Sequence, residues 1–229
     1  MRFKRGKAIA SVMAVLALAG CQQDTGSSQA QVPKGEAPAQ STSQSAQPTA
    51  YNGPFGLKMG LSLEDAKALI PSLSADEEKP GVYSAANVPI SHPDFESYSL
   101  TFSQKSGLCK IVGIGKDIAS GDAGFEVRSA FDALDEALTK KYGKGKKYDF
   151  TSERYESPEF WMMYLLKKNR TLAKVWSKEK SSILTNSLSA ITLEAGATDM
   201  STGYLVMRYE FENMSDCVAE ATAEKNKGL

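Results

Sequence analysis

The rarest reactive side chains in this 229-residue sequence are three cysteines and a single histidine. The thiols of Cys21, Cys109 and Cys217 could be acylated, oxidised or bound to a metal, and the imidazole of His92 could act as a general base. The cysteines form no Cys-x-x-Cys pair, so the sequence indicates neither a zinc ribbon nor a thioredoxin-like site. We therefore predict no metal and no cofactor.

His92 lies in the segment Ser91-His92-Pro93-Asp94, which contains the three residue types of a hydrolase triad. Neighbours in sequence say nothing about triad geometry, and the chain has no Gly-x-Ser-x-Gly nucleophile elbow. A histidine in a turn is the favoured interpretation. An envelope hydrolase that uses His92 is kept as an alternative, and our leading expectation is that the protein is not an enzyme.

The N-terminus has the three parts of a secretory signal peptide. Four basic residues precede residue 8, residues 8–19 form a short apolar run, and Leu18-Ala19-Gly20-Cys21 follows. These four residues resemble the lipobox of bacterial lipoproteins. The resemblance implies that residues 1–20 are removed and that Cys21 carries a diacylglyceryl thioether and an N-acyl chain such as palmitate. Two or more chains anchor a protein stably in a membrane. Since Gln22 rather than Asp follows, the resemblance also implies the periplasmic face of the outer membrane.

With Cys21 acylated, Cys109 and Cys217 remain in an oxidising compartment, where two cysteines predict a disulfide. The alternative is a pair of separate buried thiols, because a free cysteine packs well as a small apolar residue.

Charge and composition describe the rest of the exported chain. The full sequence has 27 basic and 27 acidic residues, and loss of the signal leaves 23 basic ones and a net charge of −4. This balance argues against nucleic acid as a partner. Residues 21–52 comprise the lipidated cysteine and a segment rich in Gln, Ser, Ala, Thr and Pro, which predicts a disordered tether. Residues 53–229 are long enough for one sizeable core.

Periodic apolar residues in this domain predict an α+β fold with antiparallel sheet and two main helices. The first helix covers residues 63–70 behind a Ser62 cap, and the second runs from an Asp122 cap to Gly143. The predicted strands cover residues 97–103, 108–116, 160–166, 171–176, 188–195 and 203–211. A weak helix is predicted over residues 219–227.

This order gives two α-then-β blocks, residues 53–120 and 121–229, without a convincing sequence repeat between them. The segment Gly60-Leu61-Ser62-Leu63-Glu64-Asp65-Ala66 before a sheet resembles the small accessory lipoprotein of the outer-membrane β-barrel assembly machinery. The block order resembles β-lactamase-inhibitor-like domains, and other segments resemble uncharacterised bacterial proteins. The inhibitor resemblance implies a second candidate function, exclusion or inhibition of an incoming enzyme or phage component.

A basic cluster and an aromatic stretch are the candidate binding residues: Lys140, Lys141, Lys144, Lys146, Lys147, Trp161 and Tyr164. The lysines could contact an anionic surface, although such a run is usually a solvated helix end. The aromatic residues would suit protein recognition if exposed and would be core if buried. Glu153, Glu156 and Glu159 are interpreted as solvated carboxylates.

These observations favour a membrane-anchored envelope lipoprotein, without catalytic activity, that binds another protein through its α+β domain.

Overall fold

The computed structural model describes residues 50–152, 157–178 and 182–227. The predicted signal peptide, Cys21 and the tether up to residue 49 lie outside the described residues, as do Glu153 and Glu156. Tyr51 already belongs to the folded region, since its backbone N–H donates to the Gly56 carbonyl at 2.9 Å and its ring packs against the core. The ordered chain therefore starts at least two residues before the predicted boundary at Gly53.

Nine strands of the described chain form one sheet in which every pairing is antiparallel. Their order is β1-β2-β3-β4-β9-β8-β7-β6, and the short β5 pairs with β9. The strands are β1 (Ser74–Ala75), β2 (Val82–Ala85), β3 (Phe95–Ser103), β4 (Gly107–Gly115), β5 (Ile118–Ala119), β6 (Lys146–Thr151), β7 (Arg170–Ser177), β8 (Leu188–Ala197) and β9 (Thr202–Phe211). The predicted α+β class with antiparallel sheet is confirmed.

Four α-helices accompany the sheet in the described residues: α1 (Leu63–Leu69), α2 (Phe125–Tyr142), α3 (Trp161–Leu166) and α4 (Met214–Asn226). Two 3-10 turns, Pro54–Gly56 and Pro158–Phe160, precede α1 and α3. Ser62 caps α1 as predicted, because its hydroxyl accepts the Asp65 N–H at 3.1 Å. Gly143 ends α2 at a φ of 78°, a left-handed conformation that glycine adopts at little cost.

The two blocks share a single sheet. In chain order, α1 precedes β1 to β5, and α2 precedes β6 to β9. Within each block three long strands follow one another as neighbours, β2-β3-β4 in the first and β7-β8-β9 in the second. The last long strands of the two blocks, β4 and β9, pair with each other at the centre. The blocks are therefore joined edge to edge into one sheet.

The core lies on the face of the sheet that the helices cover. Paired residues on neighbouring antiparallel strands point to the same face. One such row crosses five strands through Leu100, Ile111, Tyr209, Ile191 and Trp176, and each of these residues is buried. The same cluster includes Ala66 of α1 and the inward residues of α2, which are Val127, Phe131, Leu134, Leu138 and Tyr142. Both helices thus pack on one face.

The predicted strand over residues 160–166 is wrong, because Trp161–Leu166 forms α3. Its buried residues Trp161, Met162 and Leu165 follow helical spacing rather than the alternation of a strand. The edge of the sheet is instead β6, whose polar sequence gave no strand signal. Lys146 pairs there with Val175 of β7, and Thr151 pairs with Arg170.

The predicted cap of α2 at Asp122 is also wrong by two residues, since the N-cap is Gly124 with a φ of 67°. A Cβ atom at Gly124 would lie 2.1 Å from Trp161 Cε3. The Trp161 ring therefore leaves no room for a side chain at this N-cap position. The final helix, α4, starts at Met214, five residues before the predicted range.

Cys109 and Cys217 form the predicted disulfide, with Cα atoms 6.4 Å apart. The bond links β4 to α4. Polar contacts join the same two regions, because Glu220 of α4 accepts hydrogen bonds from Ser103 Oγ at 2.8 Å and from Gln104 N at 2.7 Å. Since most of α4 is exposed, the disulfide and these contacts hold it against the β3–β4 hairpin.

Candidate binding surface

The predicted basic cluster wraps around the C-terminal end of α2. Lys140 and Lys141 lie in the last turn of the helix, Lys144 lies in the connection, and Lys146 and Lys147 begin β6. All five side chains are exposed. Cations in the last helical turn also interact favourably with the negative end of the helix dipole.

Only Lys147 of this cluster forms an ion pair with another described residue. Its Nζ lies 3.2 Å from Asp132 Oδ1 and also sits over the Phe131 ring, 5.4 Å from the centroid. Lys141 and Lys146 lie over the rings of Tyr142 and Tyr148, at 5.0 and 4.8 Å. We call the four remaining lysines the α2 lysine cluster: Lys140, Lys141, Lys144 and Lys146.

Acidic partners compensate several lysines on or beside the strands, whereas no described acid pairs with the α2 lysine cluster. Lys174 on the covered face pairs with Asp135 of α2, and Lys110 pairs across strands with Glu210 at 3.3 Å. Lys178 pairs with Glu212. The cluster is therefore a local concentration of positive charge on a chain whose exported part is acidic overall.

Trp161 and Tyr164 are buried, with 2% and 8% of their surface exposed, so the predicted aromatic binding residues belong to the core. The guanidinium groups of Arg128 and Arg170 lie 5.7 and 5.5 Å from the Trp161 ring. The exposed aromatic side chains near this region are instead Phe125, Phe150 and Phe160. Glu159 is exposed, as the interpretation of a solvated carboxylate required.

His92 does not contact Ser91 in the manner of a catalytic pair. The Ser91 hydroxyl donates to the Val88 carbonyl at 3.2 Å, while His92 Nδ1 accepts the Asp94 backbone N–H at 3.3 Å. The imidazole packs edge-on against Phe95, with ring centroids 5.6 Å apart. The Ser–His hydrogen bond that a hydrolase triad uses is thus not formed in this loop.

A cleft of about 490 Å³ lies beside the α2 lysine cluster. The first block contributes the chain around Tyr51 and the loop carrying His92, and the second contributes Lys141 and Tyr142 from the end of α2. Tyr209 of β9 is part of its wall. The cleft therefore lies at the seam between the two blocks, on the helix-covered side of the sheet.

Burial raises the pKa of Tyr209, and the neighbouring Tyr142 phenol raises it further. The Tyr209 phenol consequently stays protonated at neutral pH and can donate a hydrogen bond. The sequence pattern does predict that both tyrosines are buried. Tyr142 falls on the apolar stripe of α2, and Tyr209 alternates with Met207 and Phe211 on one face of β9. What the sequence lacked was any indication that the two positions meet.

A second groove of about 520 Å³ lies between α2 and the β6–β7 edge. Three of its charged groups are paired, Lys147 with Asp132 and Asp149 with Arg170 at 2.5 Å, whereas the Arg128 guanidinium packs over the Phe125 ring and forms no ion pair with a described residue. In the described part of the chain, no group of three or more His, Cys, Asp or Glu residues is arranged to hold a metal ion. No described helix is long and apolar enough to cross a bilayer.

Comparisons with protein-family models, with curated proteins and with solved structures found no match for this chain.

Proposed function

We propose that this protein is a lipid-anchored envelope protein, without catalytic activity, that binds an acidic partner protein through the α2 lysine cluster of its α+β domain. The observation that carries the proposal is the set of four exposed ammonium groups at one helix end, none of them ion-paired to a described residue. Like charges on one short segment repel one another, and an acidic partner surface relieves that repulsion. Such complementarity also speeds association.

The export part of the proposal is supported by the N-terminal sequence and by the disulfide. Cys21 follows a basic start and an apolar run in the required place. The bond between Cys109 and Cys217 suits an oxidising compartment, because disulfides are rare in reducing ones. The periplasmic face of the outer membrane is the location we propose.

The test is cross-linking in intact cells, followed by purification of the lipoprotein and its adducts. In the variant with Lys140→Glu, Lys144→Glu and Lys146→Glu, the specific adduct should fall at least about tenfold, since several charge contacts reverse sign. The matched control reverses three exposed lysines elsewhere: Lys67, Lys116 and Lys167. This control should keep the adduct.

Two results would contradict the proposal. One is an equal loss of adduct in both variants, which would mean that net charge rather than the cluster matters. The other is binding of the Cys21→Ser protein to anionic lipid vesicles, abolished by reversal of the cluster, with no protein adduct. The lysines would then contact lipid headgroups.

The alternative function as an inhibitor or exclusion factor stays a prediction, tested by deleting the gene and challenging cells with phage and lytic enzymes.

A further inference from the structure

We propose that the seam cleft is a binding site for a small organic anion, a ligand that carries a carboxylate or a phosphate group. This inference goes beyond the proposed protein partner and does not depend on it. It rests on two buried phenols without hydrogen-bond partners among the described residues, on the donor side chains beside them, and on the size of the cleft.

The two phenols are the strongest observation. Tyr142 and Tyr209 have only 1% and 8% of their surface exposed, yet neither hydroxyl forms a hydrogen bond to another described residue. Neither hydroxyl is fully enclosed, so each keeps access to solvent, and both residues line the cleft. A buried tyrosine normally satisfies its hydroxyl. The two hydroxyls are therefore available to form hydrogen bonds with a ligand in the cleft.

Two further side chains that line the cleft, His92 and Lys141, can donate hydrogen bonds. His92 Nδ1 accepts the Asp94 N–H, so the neutral imidazole carries its proton on Nε2 and donates from there. The Tyr98 hydroxyl accepts the His92 backbone N–H at 3.1 Å, which holds the loop in place. Lys141 adds an ammonium group that forms no ion pair with a described residue.

Acidic side chains do not offset these donors. None of the described residues that line the cleft is Asp or Glu. Asp94 is the acid next to His92, and its Oδ2 lies 3.7 Å from Nδ1. The Asp94 carboxylate therefore lies near Nδ1, the ring nitrogen that already accepts a hydrogen bond. The donor set and the Lys141 charge together favour an anion over a neutral or cationic ligand.

Cleft size and shape favour a small organic molecule. A volume of about 490 Å³ falls within the usual range of small-molecule sites, roughly 300–1,000 Å³. Tyr51 and Phe55 supply aromatic wall, and the Lys58 ammonium lies over the Tyr51 ring, 4.2 Å from its centroid. A ligand with a flat or apolar body and one anionic group fits this combination.

The experiment titrates the full chain, purified in detergent and carrying ring-labelled tyrosine, with three matched probes followed by NMR. The probes are benzoate, phenyl phosphate and benzamide, where benzamide is the uncharged counterpart of benzoate. We expect at least one anion to shift the Tyr142 and Tyr209 signals saturably, with a dissociation constant near or below about 1 mM at low salt. Benzamide should leave them unshifted, and the stronger anion identifies the preferred group.

Variants then assign the binding to the cleft. Tyr209→Phe removes only a hydroxyl and should weaken anion binding about tenfold, the usual effect of losing a hydrogen bond to a charged group. Tyr204→Phe, in the same strand but outside the cleft, is the matched control and should bind normally. Lys141→Gln should weaken binding and reduce its salt dependence.

Absence of saturable shifts with both anions would overturn the inference, and so would equal shifts with benzamide or unchanged binding by Tyr209→Phe. The result of this titration is independent of the result of the cross-linking experiment for the protein partner. Tyr209→Phe leaves all four lysines of the α2 lysine cluster in place, and the Lys140, Lys144 and Lys146 reversals leave both phenols intact.

Discussion

Removal of the Cys109–Cys217 bond should cost this domain a large part of its stability. The two cysteines are 108 residues apart in sequence, so the bond closes a long loop of the unfolded chain. The chain-entropy relation gives about 4.8 kcal/mol at 25 °C for such a loop. We expect the double variant Cys109→Ala and Cys217→Ala to lose about 3–5 kcal/mol of unfolding free energy, because measured losses often fall below the relation.

The assay is urea unfolding of residues 50–229, followed by tryptophan fluorescence. Trp161 and Trp176 are both buried, so both report loss of the core. With a slope of about 2 kcal/mol per molar urea, the midpoint should fall by roughly 2 M. A thermal midpoint should fall by about 6–20 °C for a domain of this size.

A truncation separates the loop effect from the docking of α4. A chain that ends after Cys217 keeps the disulfide and loses the contacts of Glu220, so it should lose much less stability than the double alanine variant. Equal losses in the two variants would show that the bond acts only by holding α4. A midpoint shift below about 0.3 M in the double variant would refute the loop argument, since that shift is within the usual error of such measurements.

Three further predictions concern the anchor, the domain boundary and the helix contact. Cys21→Ser should release the protein from the membrane fraction of cells, and a variant that stays membrane-bound would contradict lipidation. Residues 50–229 should unfold cooperatively on their own, as measured by calorimetry, because Tyr51 is the first described residue whose ring packs against the core; a chain without a transition would overturn this boundary. The Ser103 hydroxyl lowers the pKa of Glu220 from its ordinary value of 4.5, so the ionised carboxylate stabilises α4 docking above that pH, and the stabilisation is lost as pH falls through the lowered pKa. The stability difference from Glu220→Gln, measured between pH 3 and 7, should therefore shrink toward acid, and a difference that grows toward acid would contradict it.

Local patterns predicted most elements of the fold and could not predict their arrangement. The alternation in the β3–β4 hairpin and the buried stripe of α2 are properties of single segments, so the sequence displays them directly. The β6 strand was not predicted because its core-facing residues, Lys147, Asp149 and Thr151, are polar, and its aromatic residues lie on the opposite face of the sheet edge. The apolar run from Trp161 was predicted as a strand and forms a helix, because a short buried helix and a short buried strand have the same composition.

The pairing of β4 with β9 explains why the seam cleft could not be predicted from the sequence. Each block places its first helix on the same sheet face, and the central β4–β9 pair brings the first block's loops beside the end of α2. Tyr209 acquires its neighbours only in this arrangement, since His92 comes from one block and Tyr142 from the other. The α2 lysine cluster is different, because its four residues follow one another closely in the sequence, from the last turn of α2 to the start of β6. The two candidate sites thus differ in origin: the lysine surface is a local property that the sequence shows, whereas the cleft exists only when both blocks are joined. A change that loosens the joint between the blocks, without touching any cleft residue, should therefore weaken anion binding and leave the lysine surface functional.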